Sequence, residues 1–110
     1  MRLESDGTRF AVRKGPLTVA SGELRCYHGH WTLREGHVLP KWRGQGFQRI
    51  LIRARLDQAR LNGAKRVLAW TRPTNSYSLN NLVAEGFRFI PGRVRRFDGV
   101  EYMGLQCRFS

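Results

Sequence analysis

The chain is poor in acid and almost without lysine. Eight Asp and Glu stand against 20 Lys and Arg, a formal charge of +12, and 17 of those 20 are arginine. Such a field repels cationic partners and attracts polyanions: nucleic acid, acidic protein surfaces or phosphorylated cofactors, with a solvated basic face as the plain alternative. Only two cysteines are present, Cys26 and Cys107, too few for a disulfide framework, and they read as free thiols. No apolar run reaches the roughly 18 residues of a membrane span. No charged-then-apolar leader opens the chain. The expectation is a soluble, cytoplasmic protein with no membrane partner. Its 110 residues suit one domain, 1–110, long enough to bury roughly two thirds of its unfolded surface.

What is present changes period along the chain. Stretches 8–15, 16–29 and 30–40 alternate apolar and polar residues between Gly-containing turns, which predicts consecutive antiparallel strands. From Gly46 the spacing lengthens: Phe47, Leu51, Ala54, Gln58 and Leu61 recur every three or four residues, with Arg49, Arg53, Asp57 and Arg60 on other sides. That is an amphipathic helix ending at Asn62-Gly63. Residues 65–70 read as a short buried strand, and 76–87 as a second helix capped by Asn75 or Ser76 and stopped at Gly86. Two strands around an Asp98-Gly99 turn finish the chain. The order implies an α/β domain with a mixed sheet.

The segment KWRGQGFQRI, 41–50, puts two glycines where the first helix must start. A helix N-terminus presents about four unpaired N–H groups and a partial positive charge, and glycines let an anion reach them. The Lys-Ser or Lys-Thr of a P-loop is missing, as is the acidic residue of a dinucleotide fingerprint.

Residues 37–51 resemble the cofactor motif of the GNAT superfamily of N-acyltransferases: Val38, Pro40, Arg43 and Gly46 occupy its pattern, and Asn75 precedes Gly86-Phe87 at the family's spacing. The resemblance implies a mixed, mostly antiparallel sheet flanked by helices, in a small member lacking the usual N-terminal helix pair. It implies acetyl-CoA as cosubstrate. Amides from Arg43 through Gly44, Gln45, Gly46, Phe47, Gln48 and Arg49 would hold the pyrophosphate. The main chain of His37 and Val38 would pair with the pantetheine arm, Asn75 would add a contact, and the Arg49 side chain would suit the phosphates. The implied reaction is acetyl transfer to an amine on a macromolecular acceptor, an acidic protein or peptide. A catalytically degenerate binding protein acting through a protein or nucleic-acid partner is the alternative, and a homodimer is a compatible arrangement.

The sequence departs from that family where chemistry is concerned. Gln48 stands where a small residue is usual, Leu82 where a tyrosine acid is usual, and Thr32 and Trp70 about where glutamate bases are found. Glu35 and Tyr77 are the catalytic candidates, with His30, His37 and Tyr102 as further polar groups. A lysine amine is only about 0.04 percent neutral at pH 7 and an α-amine about 14 percent, so weak base chemistry favours an α-amine, another weakly basic amine or a reaction carried mainly by proximity over ordinary lysine acetylation.

Two other constellations stand in the sequence. Cys26, His28 and His30 fall on one face of a strand if it runs through them, but alternate side chains then stand nearly 7 Å apart, too far to converge on zinc. No metal is expected. Arg93, Arg95 and Arg96 with Phe97 would suit a nucleic-acid backbone and a stacked base, though no nucleic-acid-binding motif accompanies them.

Overall fold

The computed structural model describes residues 1–110. Four strands run consecutively: β1 (Arg2–Ser5), β2 (Arg9–Lys14), β3 (Leu17–Tyr27) and β4 (His30–Val38). A 3₁₀ turn (Pro40–Trp42) leads to α1 (Phe47–Leu61), then come β5 (Arg66–Thr71), α2 (Ser76–Ala84), β6 (Arg88–Phe97) and β7 (Val100–Arg108). The seven strands form one sheet in the order β1-β2-β3-β4-β5-β7-β6. Only the β4–β5 pairing is parallel. The mixed, mostly antiparallel sheet expected from the sequence is therefore observed. β1 is an addition that sequence reasoning missed; its four residues are all exposed, so no inward alternation marks it.

The core lies where α1 covers β2, β3 and β4. Phe10, Val12, Val19, Leu24 and Leu33 from the sheet meet Leu51, Ile52 and Leu56 from the helix, and Phe87 and Leu105 extend the same cluster. Each fully buried side chain of this size contributes about 1.5–3 kcal/mol. The buried stripe of α1 is Phe47, Leu51, Ile52, Arg55, Leu56 and Ala59, not the row ending in Gln58 and Leu61 that spacing suggested. Leu61 is 83 % exposed. A helix lying on a sheet buries a broad band rather than a single ridge, so the adjacent pairs Leu51-Ile52 and Arg55-Leu56 face inward together. No helix is long and apolar enough to cross a membrane.

β4 carries a bulge. Ser21 pairs with His37 and Glu23 with Arg34, so Glu35 and Gly36 together oppose Gly22 alone. Glu35 sits at φ 58. Just before this bulge the strand leaves β5, which it meets only at Trp31↔Val67 and Thr32↔Leu68. The extra residue re-aims the strand, and the two parallel strands part.

Candidate cofactor and active site

The glycine turn has the form its sequence demands. Gly44 and Gly46 adopt φ 78 and 85, the left-handed region open to glycine. Arg43 braces the turn: its amide donates to the Pro40 carbonyl at 3.3 Å and its Nε to the Val38 carbonyl at 3.2 Å. The Trp42 ring meets Phe47 edge-on at 6.2 Å, with Lys14 Nζ 4.9 Å from the Trp42 ring.

Beyond Arg43 the amides are free. None of the six N–H groups from Gly44 to Arg49 donates within the chain. The α1 N-terminus has no side-chain cap and no acidic residue in its first turn. A run of unpaired donors at the positive end of a 15-residue helix is an anion site in physical terms. It presents Gly44, Gln45, Gly46, Phe47, Gln48 and Arg49 as expected, while the Arg43 amide serves the turn instead.

The Arg49 side chain is committed elsewhere. Its Nε donates to Glu85 Oε2 at 2.9 Å, and Arg53 grips the same carboxylate through Nε at 2.9 Å and Nη2 at 3.1 Å. The Glu85 side chain is only 7 % exposed. The Arg53 hydrogen bonds hold its carboxyl below the usual carboxylate range against the opposing effect of burial, with Arg49 assisting. The pairing ties the first turns of α1 to the end of α2, so the guanidinium assigned to phosphates on sequence grounds is a staple between helices.

Where β4 and β5 part, two connected hollows open. One, of about 320 Å³, is lined by His37, Val38, Arg43 and Tyr77. The other, of about 210 Å³, is lined by Glu35, Trp70, Arg72, Leu82 and Tyr102 among others. Gly36, Gln48, Asn75 and Ser78 border both. Asn75 caps α2, its Oδ1 accepting from the Ser78 amide at 3.1 Å, which leaves its side-chain nitrogen at the junction. Glu35 and Tyr77 thus lie in different chambers of one cleft. Sequence reasoning missed Ser78 and Arg72; the i, i+3 step from Asn75 was the one signal for Ser78.

Cys26 lies one residue before the end of β3 and His30 begins β4, with His28 at φ 49 in the turn between. The three therefore do not share one strand face, and no cluster of His, Cys, Asp or Glu suited to a metal exists in the chain. Both cysteines are free. Arg93, Arg95 and Arg96 lie on β6 at the sheet edge. Arg95 stacks 4.5 Å from the Trp70 ring and Arg96 meets Glu101 at 3.4 Å, while Phe97 is 72 % exposed.

Residues 5–87 match the model of the acetyltransferase (GNAT) family. The chain belongs to the GNAT acetyltransferase family. No curated protein matches the sequence, but solved GNAT-type structures share its fold. An IAA acetyltransferase from Bacillus cereus superposes with TM-score 0.79 at 14% identity, covering 92% of this chain and 77% of that one. The ribosomal-protein-S18-alanine N-acetyltransferase of Escherichia coli gives 0.78 at 18%, over 97% and 72%. A GNAT family acetyltransferase from Elizabethkingia anophelis with acetyl-CoA bound gives 0.77 at 13%, over 92% and 75%. At these identities what this GNAT chain shares with them is the fold.

Proposed function

We propose that this chain transfers an acetyl group from acetyl-CoA to an amine on an acidic peptide or protein. The observation that carries the reading is the row of six free amides, Gly44 to Arg49, beside the open edge of β4. Acetyl-CoA supplies an activated thioester carbonyl. The chain would hold its pyrophosphate on the amides and pair its arm with the main chain at Val38, since that of His37 already pairs with Ser21 of β3, and a strand amide near Val38 would face the carbonyl oxygen. The acceptor nitrogen forms the new C–N bond as the C–S bond breaks, and the sulfur leaves as a thiolate. Glu35, in the chamber with Trp70 and Arg72, accepts the amine's proton through water. Tyr77, in the chamber with Val38, offers its hydroxyl to the leaving sulfur.

Charge supports the acidic acceptor. Glu35 is the one acid among the residues lining the Trp70 chamber, against Arg34, Arg55 and Arg72, with Arg95 stacked on Trp70. A cationic lysine side chain is repelled there, and an amine flanked by carboxylates is drawn in. Relatives in fold include an S18-alanine N-acetyltransferase and the NatC complex bound to a Gag peptide and CoA.

One observation favours a second reading, a protein that binds CoA and acts without transfer: Leu82, 4 % exposed, lines the cleft at the position where a tyrosine acid is usual in the family. Incubation with labelled acetyl-CoA and a cell lysate, followed by mass spectrometry, separates the two. Label on acidic N-terminal segments supports transfer; CoA binding by calorimetry with no labelled acceptor supports the second reading; neither result being obtained removes both.

A further inference from the structure

Arg55 occupies a place on α1 where the helix period calls for an apolar side chain, on the buried stripe between Leu51 and Ala59. It is 2 % exposed, and none of the chain's ion pairs includes it. Burial pushes its pKa down to about 10, so it remains a cation at neutral pH. A lone buried charge is far less favourable there than leucine unless its donors are well used.

They are used on β3 and β4. Nε donates to the Leu51 carbonyl at 3.1 Å and anchors the head to its own helix. Nη1 donates to the carbonyls of Glu23 at 3.2 Å and Arg34 at 3.4 Å. These two residues face each other across the strands immediately beside the bulge. The guanidinium lies against Gly22, where a Cβ would stand 2.8 Å from both Cζ and Nη1. Gly22 is the β3 residue opposite Glu35 and Gly36, so the strand is bare where the arginine head needs room.

The bulge has a visible consequence. Period two from buried Leu33 would carry Glu35 and His37 onto the core face, yet both are exposed and Val38 is buried. The inserted residue shifts the strand's facing by one. We propose that Arg55 is a positioning residue: its guanidinium bridges Glu23 of β3 and Arg34 of β4, fixes the Glu35–Gly36 bulge, and so sets the path of the β4 edge at the cleft. That this edge receives the acyl-pantetheine arm rests on the function proposed above; the clamp itself does not.

The test compares Arg55→Met, Arg55→Lys and Gly22→Ala with the unaltered protein. Amide hydrogen exchange without ligand is read over 34–38 and over β5. Affinity is measured for CoA and for 3′-phospho-ADP, the fragment that keeps the pyrophosphate and lacks pantetheine. Loss of charge-assisted bonds predicts exchange over 34–38 faster by roughly tenfold to a hundredfold in Arg55→Met and Gly22→Ala, with β5 unchanged. CoA affinity falls about tenfold while that of the fragment holds, because the amides from Gly44 to Arg49 are untouched. Arg55→Lys keeps the charge, but its nitrogen ends at about the place of the arginine Cζ, one bond short of the Nη1 that reaches both carbonyls, and it lacks the Nε bond to Leu51, so it behaves like Arg55→Met. Unchanged exchange over 34–38 in both Arg55→Met and Gly22→Ala overturns the clamp, as does full restoration by Arg55→Lys. Should Arg55→Met fail to fold, Gly22→Ala, which retains the arginine and displaces its head, decides by the same criterion. An unaltered protein that binds no CoA removes the proposed function, and exchange over 34–38 still decides the clamp.

Discussion

The two edges of β5 behave oppositely. Toward β7 all six residues pair, from Arg66↔Arg108 to Thr71↔Met103. Toward β4 only Val67 and Leu68 do. The zipped edge is rich in core residues, among them Val67, Ala69, Leu105 and Cys107. The open edge gives onto Glu35, Gln48, Arg72, Asn75 and Ser78. Backbone groups on an edge must find partners or water, so one edge contributes stability and the other keeps its groups open to water or a ligand. A single strand thus serves as both core wall and cleft wall, and mutations on its two sides should separate stability from binding.

Breaking the zipped side should give the largest effect. Leu105 is fully buried opposite Ala69 and Phe89, and Leu105→Ala is expected to cost about 2–5 kcal/mol of folding stability. Denaturant melts should show this, with CoA affinity per folded molecule unchanged. On the open side, Gly46→Glu forces a side chain into a left-handed N-cap at φ 85 and places a carboxylate among the free amides. Strain of about 1–2 kcal/mol and charge repulsion together should weaken CoA about a hundredfold by calorimetry, while circular dichroism stays native.

Smaller effects sharpen the contrast. Leu82→Tyr puts a hydroxyl into the Trp70 chamber. It is expected to raise turnover tenfold or more at unchanged CoA affinity, a fraction of the usual worth of a general acid, with about 1–3 kcal/mol lost to overpacking. Steady-state kinetics and a thermal melt check the two halves. Glu85→Gln releases the staple between α1 and α2, and about 1 kcal/mol of stability should go with it. Because the folded-state carboxyl is held below its ordinary value, its contribution is present above the unfolded pKa and is lost as pH falls through the folded one. The variant should therefore differ from the unaltered protein at pH 7 and converge with it in acid. The freed Arg49 should also tighten CoA binding slightly.

The element order was legible because its signals are local. Alternation between Gly15 and Gly29, the glycines before Phe47, Asn75 as a cap and the Asp98-Gly99 turn each act through neighbours within a few residues. β1 was not legible, since an edge strand with no buried face has no alternation to read. The candidate site was half legible. The amides from Gly44 to Arg49 follow from the turn itself, whereas the division of Glu35 and Tyr77 between two chambers depends on how β4 and α2 are placed across the sheet.

By itself the sequence determined a charge of +12, the strand and helix periods and the glycine turn, because composition and backbone preference travel with the residues wherever the chain goes. Only the tertiary structure decided which edge of β5 opens, that Arg55 rather than Gln58 or Leu61 faces the core, and that Arg49 belongs to Glu85. Those outcomes depend on partners 21 to 36 residues away along the chain. An arginine's sequence position states its charge; whether that charge meets a ligand, a carboxylate or two strand carbonyls is settled by what the folded chain brings within about 3 Å of it.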